Sequence, residues 1–296
     1  MPFQFPWRRN PEPDPVFSVD KNLERSAKRF EEWVTAHPTA LDPAEQNFGR
    51  RMDRALESIR GSDADAALPN QIANDAAAYL GEALRKDYPE AVWREDEMYG
   101  LHLANLANMP HARFLALHAT QKKWELRDKL SLAKFLESAP ARIEAESKLP
   151  HLSQTSDIKW QGRIGEEARS AAEHHAQAFR KYWSDRHQSE LPPTLLGVRE
   201  MDKFLRSNYL LNFLGEEQLI AAGFFLGEVA RGLFGGHWDF SRSSNRINAA
   251  LVYPELEFYP VGRIFKMMTE QPEGEPLDEY VRLIPSARKA VREEKR

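Results

Sequence analysis

The chain has 296 residues, 42% of them hydrophobic and 29% charged, the balance of a soluble globular protein with material for two cores and not of a disordered chain. A formal net charge of −4 gives no global attraction to nucleic acid, and the basic clusters (Arg8-Arg9, Lys122-Lys123 and the C-terminal RKAVREEKR) are short or interleaved with glutamates. The absence of cysteine excludes disulfides, thiolate metal ligands and a cysteine nucleophile.

The N-terminus, MPFQFPWRRNPEPDPVF, lacks the apolar core of a signal peptide, and residues 1–19 read as an extended arm. The longest apolar run, Leu219 to Leu226, is far short of the ~20 residues that span a bilayer. A soluble, cytoplasmic protein with no membrane segment is expected.

From residue 20 onward the chain reads as written twice. RFEEWVTAHPTALDPAEQNFGRRMDRAL (Arg29 to Leu56) aligns with AFRKYWSDRHQSELPPTLLGVREMDKFL (Ala178 to Leu205). The match puts Phe30 on Phe179, Pro43 on Pro193, Met52-Asp53 on Met201-Asp202 and Leu56 on Leu205. YLGE at Tyr79 falls on FLGE at Phe225, and Trp93 on Trp238. Pro110 and Arg113 fall on Pro260 and Arg263, and Pro140 on Pro285. The expected fold is α+β and mainly helical: two tandem repeats of a helical unit with a small antiparallel sheet. Repeat 1 covers residues 20–148 and repeat 2 covers 164–296, joined by a Pro-, Ser- and Thr-containing linker at 149–163.

In repeat 1, Leu23, Ala27, Phe30 and Val34 recur at helical spacing. A second helix follows, with Asp42 as its N-cap and Pro43 in its first turn. The third is NQIANDAAAYLGEALRKDY, with Ala73, Ala76, Ala77, Leu80 and Leu84 as its apolar stripe. Leu219, Ala222, Gly223, Leu226 and Ala230 are the counterpart in repeat 2. Short strands around Trp93 and Trp238 come next, then helices opened by Pro110 and Pro260, then closing helices from Leu132 and Leu277.

Gly81-Glu82 and Gly227-Glu228 interrupt these third helices and, with Trp93 and Trp238, form the structural signature of the repeat. Glycine costs ~1 kcal/mol against alanine inside a helix. Its presence in both copies implies that a neighbouring backbone, such as a strand, packs against that flank. Each glutamate has an arginine three residues on, Arg85 or Arg231, so it reads either as an ordinary helical ion pair or as a buried acid lining a site. Both copies must fold but need not both act. The shared charges Asp53/Asp202, Arg113/Arg263 and Arg142/Arg288 therefore read as structural, for instance as Asp–Arg bridges from the second helix to the fourth, and function is to be sought in features of one copy only.

No Walker loop, GxGxxG, HExxH, GxSxG or EF-hand loop occurs. His111 and His118 stand seven residues apart, roughly 10 Å along a helix, too far for one metal without partners from elsewhere. His174 and His175 are adjacent and face different ways. Neither a metal nor a cofactor is expected. His237 and Asp239 flank Trp238 on a strand and so share a face, where repeat 1 carries Val92 and Arg94. They read as a general acid/base pair or as a solvated strand face. With Trp183 and Trp160, whose alternative is core packing, they are the candidates for a binding surface.

The order of a helix with Leu80-Gly81-Glu82, a Trp93 strand, a hairpin and a Pro110 helix, repeated around Gly227, Trp238 and Pro260, resembles uncharacterised small α+β domains of bacteria. Some of these stand beside toxins as immunity-type proteins. The resemblance implies a cytoplasmic binding protein that inhibits a protein partner by steric occlusion, and it carries no catalytic residues. The duplication implies a monomer with internal pseudo-symmetry. The alternative is a hydrolase-like enzyme with a site in repeat 2 or the inter-repeat cleft, using His237 and Asp239.

Overall fold

The apolar periods of the sequence become helices in the computed structural model, which describes residues 19–36, 48–59, 67–96, 99–117, 119–120, 131–149, 163–241, 246–269 and 274–294. In chain order these form α1 (Val19–Ala36), α2 (Phe48–Ile59), α3 (Ala67–Asp87), β1 (Val92–Asp96), β2 (Gly100–Ala104), β3 (Arg113–Phe114) and α4 (Leu132–Ser147). Then follow α5 (Gly165–His187), α6 (Leu195–Ser207), β4 (Leu211–Asn212), α7 (Glu216–Phe234), β5 (His237–Asp239), β6 (Ala250–Val252) and β7 (Glu257–Phe258). The last elements are α8 (Pro260–Thr269), α9 (Leu277–Arg282) and α10 (Ile284–Glu294). The protein is mainly helical with small antiparallel sheets, an α+β fold. The N-terminal arm up to residue 18, nearly all of the linker, Trp160, His118, Asp42 and Pro43 lie outside the described residues. Among the described residues no helix is long and apolar enough to cross a membrane.

The chain divides into two compact units, residues 1–89 with 116–137, and residues 90–115 with 138–296. In the first, α1 lies on α3. Ala27, Phe30 and Val34 are buried on one helix, and Ala73, Ala76, Ala77, Leu80 and Leu84 on the other. Arg29 grips both oxygens of Asp75 at 3.1 and 2.7 Å, which fixes the register of the pair. Asp53 of α2 acts as the N-cap of α4, accepting the backbone N–H groups of Leu132 at 2.9 Å and Ala133 at 3.3 Å and the Ser131 hydroxyl at 2.8 Å.

The second unit is built around α7, whose residues from Gln218 to Gly227 are all buried, as expected of a helix apolar on every side. It packs against α5 and α8. At Gly223 an added Cβ would stand 2.4 Å from the Val261 Cα, so the glycine lets α8 lie directly on α7. Buried Glu146 of α4 binds the Arg186 guanidinium of α5 with both oxygens.

Two antiparallel meanders carry the same row of side chains. In the sheet β1-β2-β3-β4, Trp93 faces Leu103, which faces Phe114. In β5-β6-β7, Trp238 faces Leu251, which faces Phe258. All six are buried.

Two expectations are corrected. Pro260 opens α8, but Pro110 lies in a turn, and Arg113-Phe114 is a strand instead of a helix. The cause is a chain reversal through Asn105, Ala107 and Asn108, all at left-handed φ of 51–61°, which brings Phe114 back onto Leu103. Nor does Asp202 bridge the second helix of its half to the fourth. Asp202 pairs with Arg206 one turn along its own helix at 2.8 Å, and the α6–α9 link is instead Arg199 with Asp278 at 2.6 Å.

Replacing the capping carboxylate leaves the first N–H groups of α4 without their acceptor. Asp53→Ala is expected to lower stability by about 1–2 kcal/mol, seen as a reduced urea midpoint with an unchanged m-value.

Candidate functional site

The repeated Gly-Glu has a direct physical role in the second unit. A Cβ at Gly227 would stand 2.3 Å from the nearest Trp238 ring carbon and 2.9 Å from the Pro260 ring, so glycine is what admits the indole to the helix flank. The backbone neighbour expected at this glycine is corrected to an aromatic ring; direct backbone approach occurs one turn earlier, at Gly223. One residue on, the Glu228 carboxylate accepts the Trp238 indole N–H at 2.6 Å. Arg231 binds the same carboxylate at 2.9 and 2.7 Å and Glu173 of α5 at 3.0 Å, and the Glu228 contact raises the Arg231 pKa above its ordinary value. At the matching sequence positions Gly81 is buried, Glu82 pairs with Arg85 at 3.0 Å, and Trp93 is buried on β1.

With Trp238 turned inward, strand alternation sends His237 and Asp239 outward. His237 is exposed and faces half-buried Val252, which faces exposed Glu257. Tyr259, 41% exposed, donates its hydroxyl to Glu257. Asp239, half-buried, accepts the Ser241 N–H at 2.7 Å and holds the turn that leaves β5. The hydrolase-like alternative rests on these two side chains. Trp183 is 7% exposed and packs between His187, at 4.1 Å, and Phe204, at 5.5 Å, so it belongs to the core. His175 is buried against Phe224, His174 is exposed, and His111 lies in the turn before β3. Among the described residues no three His, Asp or Glu side chains are grouped to hold a metal ion.

A second polar cluster went unmarked in the sequence. His102 on β2 is 1% exposed; its Nδ1 lies 2.9 Å from the Gly100 carbonyl, and its Nε2 lies 3.8 Å from Asp96. A carbonyl only accepts, so Nδ1 carries the proton. Tyr99 meets the imidazole edge-on at 5.9 Å, and Arg113 stacks over the Tyr99 ring at 4.7 Å. Burial pushes the Tyr99 phenol up to about 12, so it stays protonated at neutral pH. The only sequence sign was a histidine at an alternating position of a short strand.

The glycine lock is tested by two alanines on the same helix. Gly227→Ala drives a methyl group into the Trp238 ring and is expected to destabilise by about 1–3 kcal/mol. Gly232→Ala, with nothing within 4 Å of its added Cβ, is expected to be neutral or stabilising by up to about 1 kcal/mol. Thermal melts of both variants measure the contrast, and equal shifts would remove the steric account. No protein-family model, curated protein or solved structure matches this chain.

Proposed function

We propose that the chain is a protein-binding protein of immunity type that blocks a basic partner by steric occlusion in the bacterial cytoplasm, acting as a monomer of two tandem repeats. What supports the reading most is the outward row His237–Val252–Glu257 with Tyr259. It combines the Glu257 carboxylate with an exposed aromatic anchor, and half-buried Asp239 on the same face of β5 adds a second negative charge, the chemistry that receives a cationic protein surface. The row belongs to one copy only: the matching positions of the first sheet hold Val92, Ala104 and Arg113. The matched Trp–Leu–Phe rows of the two meanders support the duplication.

Affinity capture from the native lysate, with mass spectrometry, tests this. The unaltered chain is expected to retain one stoichiometric basic protein, and a His237→Ala/Tyr259→Ala double variant with an unchanged melt is expected to retain at least about tenfold less. Equal capture by both would move the interface elsewhere. No capture by either would overturn the binding role.

A further inference from the structure

His102 has one hydrogen-bonding state that fits its surroundings. Nδ1–H donates to Gly100, while Nε2 looks towards Asp96 from a site closed to water. The charged and titratable groups around it, among the described residues, are Arg94 directly across the ladder and Asp96 on β1, Tyr99 in the link, and Arg113 on β3; Glu216 acts on Tyr99. A proton added at Nε2 gains one carboxylate, Asp96, itself 45% exposed. It also places a third cation beside two guanidinium groups, in a dry position. The added charge is therefore better accommodated when the hairpin opens and the ring reaches water.

We propose that His102 is an acid-sensitive clasp on the β1-β2-β3-β4 sheet, closed while the ring is neutral and released by its protonation. Opening frees the ring from the Gly100 carbonyl and uncovers the small cluster of Tyr99, Leu115 and Tyr209. It also loosens β4, which pairs with β3 through Arg113–Asn212 and Phe114–Leu211 and is tied to it by the Leu115 N–H on the Leu210 carbonyl at 2.9 Å. Four residues beyond β4 begins α7, the helix that carries Gly227 and Glu228. The clasp thus lies at the entrance to the central helix of its unit.

The direction in pH follows from linkage. Burial, the largest influence, holds the His102 pKa below its ordinary value, so the stability it confers is complete above about pH 6.5 and is lost as the pH falls from there towards the folded-state pKa. One proton taken up on opening means that the opening equilibrium rises up to tenfold per pH unit within that window.

Amide hydrogen exchange of the full chain between pH 8 and pH 5, corrected for intrinsic rates, reads this at Leu101, Leu103 and Leu115. Protection in the wild type is expected to fall as stated, and in His102→Gln to be flat over the same range. Protection independent of pH in the wild type, or an equal dependence in both proteins, overturns the clasp. Should His102→Gln fail to fold, the ring titration of the wild type followed by NMR decides: a His102 midpoint below 6.5 supports the clasp, and one at or above 6.5 overturns it.

Discussion

The packing of the Trp238 ring against Gly227 is the contact on which the second unit depends. An indole buries roughly 150–250 Å², worth about 4–6 kcal/mol at the usual transfer coefficient, provided its N–H finds an acceptor. Glu228 is that acceptor, one residue from the glycine that makes room, so two adjacent positions on one helix turn supply both space and polarity. Arg231 neutralises the carboxylate, which would otherwise be costly in a half-buried position. The helix forgoes about 1 kcal/mol of propensity at Gly227 and gains a fixed strand in return.

That fixed strand sets what the molecule presents. Because successive side chains on β5 point to opposite faces, holding Trp238 against α7 determines that His237 and Asp239 face outward. Register then places Val252 beside His237 and Glu257 beside Val252, with Tyr259 two residues on from Glu257. The acidic and aromatic character of this surface follows from a packing decision on its reverse side. The proposed partner contact and the core are in this sense two faces of one strand.

The sequence made the long elements legible because their signals are local. Ala27, Phe30 and Val34 on α1 and the alanine-rich stripe of α3 declare their buried faces by period alone, and the unbroken apolar run Leu219–Leu226 declares the buried middle of α7. The Gly-Glu signal stands out in the sequence only because the motif occurs twice, and at Gly227 a ring, not the backbone the sequence implies, fills the space. What stayed hidden depends on residues far apart in the chain. Strand β4 is two residues long and exists because β3 offers it a partner nearly a hundred residues earlier. Phe114 is drawn into a strand by Leu103 after a left-handed reversal that no turn dipeptide announced. His102 looked like any alternating position because its burial comes from its surroundings in space, including Tyr99 and Arg113, and not from its own segment.

The most direct test of this account is a double-mutant cycle in urea between Trp238→Phe and Glu228→Leu, each of which removes one partner of the indole–carboxylate hydrogen bond. A hydrogen bond to a charged group that anchors the strand predicts a coupling of about 1.5–3 kcal/mol between the two sites. Additivity within about 0.5 kcal/mol would show that the indole and the carboxylate act independently, and would contradict the account.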